Sequence, residues 1–170
     1  MTERDFRSAF FEHKDAIYRL AWRITNSSAS AEDITQDVLL FLLRQPDRFD
    51  GTRGRLRSFL LGVTRNLAWK KLSERQRWED LDDAVLPTFE MDPARAELAD
   101  LVGAALQALP LVQREALVLA QYEGFSLAEI AETVGADIGT VKSRLHRARE
   151  NMRRLLAPLK ESRSNCGTVE

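Results

Sequence analysis

Apolar residues return at intervals of three and four along most of this chain, and no run alternates apolar with polar residues long enough to make a half-buried strand. That spacing puts them on one side of a 3.6-residue turn, so the chain must fold as helices packed through apolar faces. Ile17, Leu20, Ala21 and Ile24 recur at i, i+3, i+4 and i+7, which predicts a first helix from about Thr2 to Thr25. A second helix, capped by Ser30, runs through Ile34, Val38 and Leu42. It stops at the Gln45-Pro46 step, because a residue before proline is driven out of the helical region. DRFDGTRG is a loop, and a third helix carries Leu56, Phe59, Leu60, Val63 and Leu67 on one face. Leu98, Leu101, Ala105 and Leu109 mark a helix ended by Pro110, and Leu111 to Tyr122 supplies another.

Charge is balanced in sum and segregated in sequence. The 25 Lys and Arg against 26 Asp and Glu give a formal net charge of -1, so a polyanionic partner must be met locally. Between Arg53 and Arg77 stand Arg53, Arg55, Arg57, Arg65, Lys70, Lys71, Arg75 and Arg77 against the single acid Glu74. The sign then reverses through Glu79, Asp80, Asp82, Asp83, Glu90 and Asp92, with Pro87 and Pro93 and no helical period, which reads as an acidic linker. The expected fold is all-α, two small helical domains joined by that flexible linker. Two basic regions on either side of it suggest one long anionic partner.

The second basic region is the more specific. In FSLAEIAETVGADIGTVKSRLHRAR, Ser126 and Glu129 have capping-box spacing, Ile130, Ala131 and Val134 point inward, and Gly135 can take the left-handed conformation that ends a helix. A turn from Ala136 to Gly139 then starts a basic helix, giving the helix-turn-helix pattern whose second helix enters the DNA major groove. Val141, Leu145, Ala148, Met152 and Leu155 share its inner face, while Ser143, His146 and Arg147 lie opposite and are placed to reach base edges. Lys142, Arg144 and Arg149 flank them and suit phosphates. Glu150, on the side of Arg147, is expected to pair with Arg147 or Arg154.

Other chemistries find little footing. Cys166 stands with only His13 and His146, which gives neither a disulfide nor a zinc site, and no glycine loop cradles a phosphate. No cofactor, metal, catalytic residue or small-molecule substrate is expected. The N-terminal MTERDFRSAF is charged rather than apolar, and Val38 to Leu43 is too short to span a bilayer, so a cytoplasmic protein without membrane insertion is expected.

These motifs, in this order, resemble the extracytoplasmic-function (ECF) sigma factors of bacterial RNA polymerase. AEDITQDVLLFLL is similar to the helix that binds the polymerase clamp, RSFLLGVTRNLAWKKLSERQR to the promoter-melting segment, and the stretch from Leu109 to Arg149 to the family's C-terminal domain. The resemblance implies domain two over residues 1–78, a linker over 79–93, domain four over 94–160 and a disordered tail over 161–170. It implies core polymerase contacts at Asp33, Gln36, Asp37 and Leu40, minus-ten contacts at Phe49 and Asn66, to which Arg65 of the basic block is added, and minus-thirty-five contacts on the basic helix. Core RNA polymerase, promoter DNA and an anti-sigma factor are the implied partners. Phe59 stands where many members have tryptophan and Lys70 where they often have aspartate, and Trp69 suits base stacking or core packing equally. Two rival readings remain: a conventional dimeric regulator, and a decoy that titrates an anti-sigma protein.

Overall fold

The computed structural model describes residues 3–79 and 97–164. The chain divides into two compact units, the first carrying α1 (Glu3–Thr25), α2 (Ser28–Arg44) and α3 (Leu56–Glu79), the second carrying α4 (Leu98–Ala108), α5 (Leu111–Gln121), most of α6 (Leu127–Val134) and α7 (Ile138–Ser164). The described residues contain no strand. Nor does any described helix have the length and apolarity to cross a membrane.

In the first unit each helix packs on the other two. The expected seam of α1 is in place, with Ile17, Leu20, Ala21 and Ile24 all buried. α1 ends where Asn26 takes a left-handed φ of 52°, its N–H bonded to the Trp22 carbonyl at 2.7 Å. The cap of α2 is Ser27, whose Oγ accepts from the Ser30 N–H at 3.2 Å; Ser30, the expected cap, sits in the first turn. In SSAS only the earlier serine keeps an extended backbone (φ -143°) while its oxygen reaches an unpaired N–H three residues on. α2 buries Ala31, Ile34, Val38 and Leu42, and ends with Gln45 as its C-cap. Pro46–Arg48 form a short 3-10 turn at the start of the expected loop.

The buried seam of α3 is rotated from the expected one. Leu60, Leu61, Thr64 and Ala68 are fully buried, whereas Leu56, Phe59, Val63 and Leu67 are half-buried. A threonine can sit in that seam because its hydroxyl donates to the Leu60 carbonyl at 2.8 Å, leaving no unmet polar group.

In the second unit α7 is the central element, packed against α4 and α5. Pro110 separates α4 from α5 and offers its carbonyl to the Gln113 and Arg114 N–H groups. Gly124, at φ 69°, lets the chain turn so that Phe125 can bury and donate its N–H to Leu119. α5 and α7 are tied by Asn151 Nδ2, which donates to Gln113 Oε1 at 2.8 Å. α7 continues to Ser164, so residues 161–164 of the expected tail are helical, as the helix-tolerant sequence after Pro158 allows. Most of the expected linker and the rest of the tail, with Cys166, lie outside the described residues.

Candidate nucleic-acid interfaces

The helix-turn-helix is built by three local devices. The Glu129 N–H donates to Ser126 Oγ at 3.2 Å and the Ser126 N–H donates to a Glu129 carboxylate oxygen at 2.8 Å, so the capping box starts α6. Gly135, at φ 66°, ends it, with the Ala136 N–H bonded to the Ala131 carbonyl. Asp137 then caps α7: Oδ1 accepts the Thr140 N–H at 2.7 Å and Oδ2 the Thr140 hydroxyl at 3.1 Å. These bonds hold the Asp137 carboxyl below its ordinary range. The cap shortens the turn to Ala136 and Asp137, so Gly139, expected to close it, already belongs to the helix. A Cβ on Gly139 would stand 3.1 Å from Asp137 Oδ1, a tight approach that the capping carboxylate would have to shift slightly to accommodate.

α7 presents the face its sequence promised. Val141, Leu145 and Ala148 are buried and Met152 and Leu155 half-buried, while Lys142, Ser143, His146, Arg147 and Arg149 are exposed and Arg144 half-buried. Ser143, Arg144 and Arg147 share a groove of about 460 Å³ with Thr140 and with Val112 and Gln113 at the start of α5. Thr140, Val112 and Gln113 escaped the sequence reading; the Asp137-Thr140 spacing flags the first, and no local signal flags the other two. Arg149 lies apart from this groove, beside a hollow lined by Leu106, Leu117, Tyr122 and Met152. Glu150 pairs with Arg153, one turn on, instead of Arg147 or Arg154.

α3 carries two groups of contacts, one around Arg65 and one around Phe59. The Arg65 guanidinium lies over the Trp69 ring, 5.0 Å from its centroid, and Arg65 donates to Asn66 Oδ1 at 3.3 Å. Asn66 is exposed, and Arg65 and Trp69 are half-buried. In the preceding loop Phe49 is half-buried against Phe59 at a centroid distance of 5.5 Å, and Phe59 in turn meets Phe41 of α2 at 6.3 Å. An Asx turn fixes this loop: Asp50 Oδ1 accepts the Thr52 N–H and hydroxyl, which lowers the Asp50 pKa.

On α2, Asp33, Gln36, Asp37 and Leu40 are all exposed, with Leu40 43% and Leu43 41% open to solvent. Asp33 accepts a 2.8 Å ion pair from Lys71 of α3, a partner that sequence spacing gave no means of finding. Among the described residues no group of three or more His, Cys, Asp or Glu side chains is arranged to hold a metal.

Residues 10–78 match the family model for sigma-70 region 2, and residues 99–152 the model for sigma-70 region 4. Over 162 residues the chain is 32% identical to the ECF RNA polymerase sigma factor SigL of Mycobacterium tuberculosis, covering 90% of this chain and 89% of that one. This chain is an ECF sigma factor. It is also 35% identical to the ECF sigma factor SigE of Mycolicibacterium smegmatis over 86% of its own length, and it spans 59% of that longer relative. Among solved structures, the sigma factor RpoE of Bartonella quintana, crystallised with the anti-sigma factor NepR, superposes with a TM-score of 0.76 at 30% identity, covering 91% of this chain and 98% of RpoE. CnrH in complex with the cytosolic domain of CnrY gives a TM-score of 0.70 at 26% identity, covering 92% of this chain and 90% of CnrH. The family is one of transcription initiation factors, and its helical two-region fold is the fold described above.

Proposed function

We propose that this sigma factor binds core RNA polymerase through the exposed side of α2, traps an unpaired minus-ten base on α3 and reads the minus-thirty-five element with α7. The observation that carries the reading is the capped, outward face of α7. Ser143 and Arg147 line one groove with Arg144, so hydrogen-bonding groups suited to base edges stand beside a cation suited to phosphate. His146 extends the base-facing side, and Lys142 contributes a second phosphate contact; Arg149, apart from the groove, would serve only a more distant phosphate.

On α3, Asn66 would supply an amide for a base edge, with Arg65 beside it and Phe49 as an aromatic surface for the same base; stacking on an aromatic or guanidinium plane favours a base already out of its duplex. Strand separation would then draw on the capture of flipped bases, with no nucleotide hydrolysis by this chain and no catalytic residue of its own. Asp33, Gln36, Asp37 and Leu40 would meet the polymerase, Asp33 exchanging Lys71 for a basic group there. Residues 1–78 and 94–160 would act as domains two and four, with 79–93 as linker. The RpoE structure solved with the anti-sigma factor NepR supports control by such a protein, and a cytoplasmic location follows from work on the chromosome.

A decoy for an anti-sigma protein has no use for the cations of α7, and Lys142, Arg144 and Arg147 are all present. A dimeric regulator leaves the basic α3 without a task. Run-off transcription with core polymerase on a randomised promoter library tests the reading. Enrichment of two spaced elements supports it; transcripts no more frequent than with core polymerase alone would end it.

A further inference from the structure

The geometry points to Trp69 as a positioning residue that, through Arg65, turns the Asn66 amide nitrogen outward and so sets which unpaired base the first unit accepts. This rests on the reading of α3 as the minus-ten site and adds a residue to it. Trp69 lies one turn beyond Arg65, and its ring carries the guanidinium at 5.0 Å. A cation over an indole face is attracted by the ring quadrupole, which fixes one of the longest and most mobile side chains on the helix. The fixed guanidinium then donates to Asn66 Oδ1 at 3.3 Å. Arginine has donors and no acceptor, so the asparagine atom it meets must be the oxygen. The Asn66 nitrogen, with its two donors, is left as the outward group on an exposed residue.

The consequence is a matter of base edges. Asparagine pairs with adenine by accepting with its oxygen and donating with its nitrogen together. An oxygen already turned toward Arg65 makes that two-bond pairing harder, so the site disfavours adenine and favours an edge presenting acceptors, such as thymine O4 or guanine O6 and N7. The departure from the family pattern at Lys70 does not enter, because Lys70 is exposed and the chain of contacts runs through its neighbour.

The test uses holoenzyme made from core polymerase and the full chain, on fork-junction probes that differ only in one unpaired minus-ten base. We expect the adenine probe to bind weakest at the position read by Asn66. Trp69→Ala should narrow the spread between best and worst base roughly two- to fivefold, the range of one exposed cation–π contact. Trp69→Phe, which keeps a ring under the guanidinium, should restore most of the spread, and Arg65→Lys, which loses the planar fork, should narrow it again. Circular dichroism of each variant guards against a misfolded α3, and Trp69→Phe keeps the test decisive if Trp69→Ala unfolds. A spread lost in Asn66→Ala but intact in Trp69→Ala would overturn the positioning role and leave the minus-ten reading standing. So would an equal loss on all four bases, which is the signature of packing alone. Adenine bound best would overturn the outward nitrogen. A spread untouched by Asn66→Ala would remove the minus-ten reading itself.

Discussion

The two long basic helices, α3 and α7, differ in how plainly their sequences announce their faces. On α7 the fully buried residues Val141, Leu145 and Ala148 are expected ones, with Met152 and Leu155 half-buried further along the same face. On α3 the match is poorer: Phe59, Val63 and Leu67 are only half-buried, while a threonine and an alanine, Thr64 and Ala68, occupy the core seam. Under the proposed function the difference would follow from what each helix holds. Groove edges and phosphates are met by polar side chains, which sharpen an amphipathic pattern. An unpaired base is met by rings and flat surfaces, and Phe59, Phe49 and Trp69 put such groups outside the core seam, where they blur the pattern.

The largest expected effect tests the rotated seam. Leu61→Ala removes a wholly buried side chain and should cost about 2–5 kcal/mol of stability, whereas Leu67→Ala, half-buried, should cost clearly less. Urea unfolding of the two variants measures both, and equal losses would return the seam to the position that apolar recurrence alone predicts.

The next effect belongs to α7. Arg147→Ala should cost about 1–3 kcal/mol on the preferred minus-thirty-five element and much less on variants changed at one or two base pairs, since a bidentate arginine contact to guanine is sequence-dependent. Holoenzyme titrations on promoter variants read this directly. Arg144→Ala should instead weaken all sequences alike and lower the salt slope by roughly one, because one phosphate fewer is neutralised. Indistinguishable behaviour of the two variants would make α7 a merely solvated face.

The smallest effect is at the α7 cap. Asp137 has its pKa lowered by the Thr140 hydrogen bonds, so its contribution is fully present above the ordinary carboxylate value of about 3.9 and is lost as pH falls through the lowered folded value. The cap should therefore be intact at neutral pH and weaken only in strong acid. Asp137→Ala should lower the melting temperature slightly at neutral pH, and the gap to the unaltered chain should close in acid. A gap that widens in acid would contradict the assignment.

Much of the organisation was legible because it rests on local rules. The capping box at Ser126 and Glu129 and the left-handed Gly135 are readable from a few residues, and the helix-turn-helix follows from them. What was not legible depends on which of several near-equivalent groups wins. Ser27 and Ser30 both suit a cap, and only the entry angle of the chain chooses Ser27. Arg153 competes with Arg147 and Arg154 for Glu150, each of them three or four residues away on the helix. Gln113 reaches the α7 groove, and Lys71 reaches Asp33, only through tertiary packing between residues far apart in sequence.

The central claim is that α7 holds duplex DNA while α3 captures a base that has left it. Permanganate reactivity of minus-ten thymines, on a promoter bound by holoenzyme without nucleoside triphosphates, tests it most directly. With the unaltered chain the thymines should be reactive, and Asn66→Ala should abolish that reactivity while the minus-thirty-five footprint remains. Thymines that stay unreactive in every holoenzyme, or reactivity undiminished by Asn66→Ala, would contradict it.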